Sequence, residues 1–221
     1  MTDLRLYERI AGLYEYPGDG CAERWLEAVA VSRPEYPQLA SDLEQFIEKT
    51  SLMSLDDLEE LYTRTFDLDP AATLEIGWHL FGESYDRGRF LATMRGSLHQ
   101  AGVQEDGELP DHLATVLRFV PVLRQDQRDW WVHQYPLQAI DRIVKSLGRG
   151  ESPYLHLLSG TAKWLRAVHP FDSSMDLVEF VPVHGELNPD HFDETGTPVG
   201  RGGPQSPVLC PGASSCQEAV R

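Results

Sequence analysis

The chain is short of cysteine, of long apolar runs and of basic residues, and each shortage removes a class of protein. Its three cysteines, Cys21, Cys210 and Cys216, are an odd number, and two of them lie in a Gly/Pro-rich stretch, so no disulfide framework is implied. No window approaches the ~20 consecutive apolar residues of a membrane span. The segment Met1–Arg5 lacks a basic region followed by an apolar run, so no signal peptide is expected and the cytoplasm is the expected location. Nineteen Lys and Arg stand against 35 Asp and Glu, a formal net charge of −16. That balance argues against a nucleic-acid partner, which needs Lys/Arg patches to meet phosphates.

Standard catalytic signatures are missing too. There is no G-x-S-x-G elbow, no Walker-type phosphate loop and no H-E-x-x-H zinc helix. Asp111-His112 reverses the His-Asp order of metal-dependent phosphohydrolases. Cys210 and Cys216 lack C-x2-C spacing, which leaves only a tail site drawing on His184 and His191 as a metal option. No metal site is expected in the body of the chain.

What is present is acidic charge and helical periodicity. Ten carboxylates between Ser41 and Glu75 face only Lys49 and Arg64, a net −8 and half the chain's total. A concentrated acidic surface favours a basic partner and speeds encounter with it. Apolar residues recur at helical spacing in segment after segment. Leu4 to Leu13, Ala22 to Val31 and Leu39 to Ile47 give the first three helices. Ser54 with Asp57 reads as an N-cap opening a helix that runs to Phe66. Helical spacing resumes over 71–81, and Ser84 caps a further helix that closes at Ala101-Gly102. Another follows Pro110, one over 126–147 is split or kinked by Pro136, and a last one begins at Ser152-Pro153. The one plausible strand is Leu177–Val181. The expected architecture is all-α: a single-domain helical bundle over 1–181, with a flexible Gly/Pro-rich tail over 182–221.

Two stretches concentrate unusual residues. In Gly77-Trp78-His79-Leu80-Phe81-Gly82-Glu83, His79 and Glu83 are four apart and share a helix face if the helix continues that far. In Glu108-Leu109-Pro110-Asp111-His112, two carboxylates and an imidazole precede the apolar face of Leu113, Val116, Leu117 and Val120. Such a run caps a helix, binds a ligand, or does both. An enzyme that converges His79, Glu83, Asp111 and His112 in space is one reading, as a helical metal-dependent hydrolase.

The ordered set of these motifs resembles another kind of protein. Phe66-Asp67, Leu80-Phe81-Gly82-Glu83-Ser84-x-x-Arg87-Gly88, Ala101-Gly102 and Glu108-Leu109-Pro110-Asp111-His112-Leu113 are similar in order and spacing to the nitrate reductase delta-subunit family. The resemblance runs over roughly Leu58 to Phe119, and Pro153-Tyr154 looks like that family's later helix start. It implies a cytoplasmic, non-catalytic chaperone for molybdoenzymes, in wording closest to the subgroup serving periplasmic enzymes. Its partner is then the catalytic subunit of a molybdoenzyme, bound through a basic, twin-arginine-type N-terminal segment. The molybdopterin cofactor and iron–sulfur clusters belong to that client, and none is held stably by the chaperone. A monomer or a segment-exchanged dimer is the implied state. Glu108, Pro110, Asp111 and His112 are carried over as the client-binding motif. His79, Glu83, Asp67, Asp69 and Glu60 are the further candidate contacts, since arginine forks need carboxylates. His112 as a satisfied capping residue is the competing reading for that side chain, and a structural subunit of the finished complex is the third reading for the whole chain.

Overall fold

The structure is a computed structural model, and it describes residues 4–105, 107–148 and 152–171. The described residues form ten α-helices: α1 (Leu4–Ala11), α2 (Cys21–Ser32), α3 (Pro37–Thr50), α4 (Leu55–Tyr62), α5 (Ile76–Phe81), α6 (Tyr85–Ala101), α7 (Leu113–Phe119), α8 (Gln125–Gln134), α9 (Pro136–Leu147) and α10 (Tyr154–Val168). They contain no strand, only an isolated antiparallel bridge between Glu75 and His112. The all-α bundle is therefore what the chain forms. The segment Leu177–Val181, the tail from 182 and both tail cysteines lie outside the described residues. No described helix is long and apolar enough to cross a membrane.

Local chemistry sets most helix ends. Ser54 and Asp57 form a reciprocal capping box at the start of α4: the Asp57 amide donates to the Ser54 hydroxyl, and the Ser54 amide donates to the Asp57 carboxylate. Ser84 accepts from the Arg87 amide at 3.3 Å and opens α6, and Gly102 closes it at φ 69°, a left-handed cap that suits glycine. Pro136 ends the α8 run and starts α9, where its missing N–H costs nothing.

The core forms around α3, which packs against α2 and α10; α9 backs α10, and α5 and α8 lie on α9. On the other side α1 bridges α2 and α7. Phe46, Phe66, Tyr62 and Tyr154 meet as an aromatic cluster with ring centroids 4.6–6.2 Å apart. Each such fully buried side chain contributes about 1.5–3 kcal/mol of transfer free energy. The α3–α10 contact is tight enough that a Cβ on Gly160 would sit 2.6 Å from Asp42 Cβ. Beyond α10, His169 joins the bundle: its Nδ1–H donates to Asp129 at 2.7 Å, and Nε2 meets the Tyr7 hydroxyl.

Two expectations are corrected. The helix opened by Ser54 stops as α-helix at Tyr62 and widens into a π-helical turn over Thr63–Asp67, with the Leu68 amide bonded to the Thr63 carbonyl at 3.0 Å. The spacing over 71–81 becomes helix only from Ile76, because Leu74 to Ile76 pairs with the chain at 111–113 instead. The condition on which His79 and Glu83 would share a helix face is not met, since α5 ends at Phe81 with Gly82 at φ 60°.

Candidate functional site

The bridge between 74–76 and 111–113 organises the polar centre. Ile76 N–H donates to the Asp111 carbonyl at 3.0 Å, and Leu113 N–H donates to the Leu74 carbonyl at 2.9 Å. Upstream, Pro110 sits buried inside a turn closed by the His112 amide on the Leu109 carbonyl. This turn carries Asp111 inward and leaves Glu108 exposed.

Asp111 is 0 % exposed. Its Oδ2 accepts from Gly77 N–H at 3.0 Å and lies 4.0 Å from Arg87 Nε, while its Oδ1 has no partner among the described residues. A Cβ on Gly77 would come within 2.6 Å of that carboxylate, so glycine is required for the approach. Burial pushes the Asp111 carboxyl above its ordinary value, opposed by Arg87 and the Gly77 amide. Arg87 also lies over the Trp78 ring, 5.4 Å from its centroid. Asp111 thus ties the start of α5, the first turn of α6 and the approach to α7 into one unit.

His112 is the N-cap of α7: its Nδ1 accepts from the Ala114 amide at 3.3 Å. Burial, with Arg118 adding, pushes its pKa down to about 4, so it is neutral at pH 7. The capping reading of this histidine is correct. His79 is likewise buried and neutral, its Nε2–H donating to the Thr73 carbonyl at 2.8 Å. Among the described residues, no three His, Cys, Asp or Glu side chains come together as a metal site.

Over this unit opens a recess of about 200 Å³. Tyr62, Phe66, Leu74 and His112 supply buried lining, Tyr16 and Thr73 further wall, and Asp67, Glu75 and Glu108 the carboxylates. The π turn delivers Phe66 and Asp67 to it. Tyr62 is locked by its hydroxyl donating to the Tyr14 carbonyl at 3.0 Å, and Tyr16 packs its ring against Tyr62 at 5.3 Å, nearly edge-on. Glu75 is half-buried, accepts a hydrogen bond from the Thr73 hydroxyl, and has its backbone in the bridge. Burial raises its carboxyl above the ordinary value, and the neighbouring Asp111 and Glu108 carboxylates add to this, with Arg87 opposing. Burial raises the Tyr62 phenol as well, reinforced by Glu108, Asp67 and Glu75. Among the described residues no cation forms an ion pair with Asp67, Glu75 or Glu108.

The remaining expected contacts are dispersed. Glu60 is exposed on α4 and pairs with Arg64 at 3.4 Å. Asp69 accepts from the Ala71 amide at 3.0 Å in a turn, and Glu83 is exposed between α5 and α6. Of the nine expected residues, Asp67, Glu108 and His112 line the recess, and Asp111 lies in the supporting layer. Glu75, Tyr16 and Tyr62 carry no motif of their own. Glu75 is visible in the sequence only as one of ten acids, and the two tyrosines only as a helix-ending residue and a member of an apolar stripe.

Fold and site together define an all-helical protein with an acidic recess. Residues 32–156, more than half of the chain, match the nitrate reductase delta subunit family, and the chain belongs to that family. It is 30% identical over 122 residues to the nitrate reductase molybdenum cofactor assembly chaperone NarJ of Escherichia coli strain K12, an alignment covering 53% of this chain and 52% of that protein. It is 28% identical over 156 residues to the probable nitrate reductase molybdenum cofactor assembly chaperone NarW of the same strain, covering 70% and 65%. A probable NarJ chaperone of Bacillus subtilis strain 168 is 26% identical over 122 residues, covering 55% and 66%. The chain thus spans about half the length of the first of these relatives.

Proposed function

We propose that this protein is a molybdoenzyme maturation chaperone and not an enzyme. It binds the basic, twin-arginine-type N-terminal segment of an apo catalytic subunit in the cytoplasm and holds that subunit for cofactor insertion and assembly. The observation that carries the reading is the recess, where three carboxylates converge and none of them forms an ion pair among the described residues. Buried or half-buried charge is costly unless paired, so a site of this kind favours a partner that brings positive charge. Leu68 and Leu109, next in the chain to Asp67 and Glu108, are exposed, as is Tyr16. A segment that is basic and then apolar meets both kinds of surface. Membership in a family whose relatives are named as cofactor assembly chaperones supports the same reading. At about 200 Å³ the recess is smaller than the roughly 300–1,000 Å³ of small-molecule sites, which suits a side chain better than a resident cofactor.

Calorimetry of the full chain with a synthetic peptide carrying two arginines followed by an apolar run tests this. Expected is binding that weakens as salt rises and weakens further in Glu108→Gln. Absence of binding both to such peptides and to the apo catalytic subunit at low salt overturns the reading. Stoichiometric co-purification with the finished enzyme makes it a structural subunit instead.

A further inference from the structure

We propose that the recess takes a single arginine side chain and that Glu75 is the carboxylate that selects arginine over lysine. This rests on the reading above and deepens it. The first ground is size. A recess of about 200 Å³ has room for a long side chain and falls short of the roughly 300–1,000 Å³ that whole small molecules occupy. The second is the wall, which is independent of the acids. Tyr16, 48 % exposed, is the lining ring that presents aromatic surface, held edge-on against Tyr62 at 5.3 Å, while Tyr62 and Phe66 line the recess as buried residues. A guanidinium is planar and weakly hydrated and stacks on aromatic rings, whereas an ammonium keeps its water and gains less there.

The third ground is that the three carboxylates are unequal. Asp67 and Glu108 are exposed at the opening. Glu75 is half-buried, its backbone fixed by the pairing with His112 and its side chain held by Thr73. A carboxylate positioned in advance loses little freedom when it accepts the two parallel hydrogen bonds of an arginine fork. Lysine offers a point charge that the two exposed acids serve as well as Glu75 does. Discrimination therefore belongs to Glu75, while Asp67 and Glu108 contribute general attraction.

The test uses the full chain and four peptides: the two-arginine peptide, each single Arg→Lys version and the double one. One single replacement is expected to weaken binding about tenfold and the other less than about threefold, since only one arginine enters the recess. Glu75→Gln is expected to bring the discriminating pair within about threefold, while Glu108→Gln weakens all four and keeps their ratio. Glu75→Asp retains charge but shortens reach, so it also loses the ratio, and it stands in if the Gln variant misfolds. Equal effects of both replacements, or a ratio unchanged in both Glu75 variants, overturn the arginine pocket. If all four peptides bind alike and with salt dependence, the pocket fails and the chaperone reading stands. If arginine amide alone shifts the Tyr16 and Tyr62 resonances but no subunit binds, the pocket stands and the chaperone reading fails.

Discussion

The α3–α10 interface and the recess treat carboxylates in opposite ways. At the interface Asp42 is buried against Gly160, and Lys163 of α10 reaches it at 3.1 Å. Shape and charge are both matched within the chain. At the recess, Glu75, Asp67 and Glu108 gather with no ion-pair partner among the described residues. Directly beneath, Asp111 is buried with one oxygen unbonded and its arginine 4.0 Å away. Charge is matched where these two helices pack, and among the described residues it is left without an ion pair where the three acids of the recess gather.

The sharpest way to break the contrast is Asp111→Ala. It removes the acceptor of the Gly77 amide and leaves the Arg87 charge uncompensated, for an expected loss of about 4 kcal/mol. Urea unfolding measures that loss, and peptide affinity is expected to fall with it because the recess stands on this layer. Next comes pH. In the unfolded chain His112 takes a proton near its ordinary 6.5, and in the fold only near about 4. As pH falls through that interval the unfolded state binds the extra proton first, so up to about 3 kcal/mol of stability is lost. The raised carboxyls of Glu75 and Asp111 act in the opposite sense: the stability they contribute is present at acid pH and is lost as pH rises through their folded values. His112→Asn keeps a capping acceptor and is expected to remove the imidazole's share, read as a flatter stability profile between about pH 7 and 4.5.

Gly160→Ala probes the matched region. The added methyl meets Asp42 Cβ, which cannot retreat without moving α3, and about 2 kcal/mol is the expected cost. Peptide affinity of the folded fraction should not change, and a change would join the two regions that the comparison separates. The smallest effect is expected from Glu60→Gln. Glu60 is 74% exposed, so its pair with Arg64 contributes under about 0.5 kcal/mol. A change of less than about twofold in peptide affinity is expected by calorimetry, and a larger one would extend the contact surface along α4.

The helices and their ends were legible because their causes are local. Ser54 with Asp57, Ser84, Gly102 and Pro136 act within a turn of the residues they organise, and the apolar stripes repeat at the helical period. His112 could be read as a cap for the same reason, since its partner is the amide two residues on. The pentad 108–112 was legible as a polar centre, yet its members divide: Glu108 faces the recess, and Asp111 turns inward to Gly77, 34 positions away.

That division belongs to the tertiary structure, as do the π turn that delivers Phe66 and Asp67 and the pairing of 74–76 with 111–113. So does the meeting of Tyr16, Tyr62, Glu75 and Glu108, which no spacing connects. Helical periodicity and capping are properties of neighbouring residues and survive in a list of amino acids. A recess comes from elements that are distant in the chain but packed together, and only the packing decides which acids are buried inside and which line an opening.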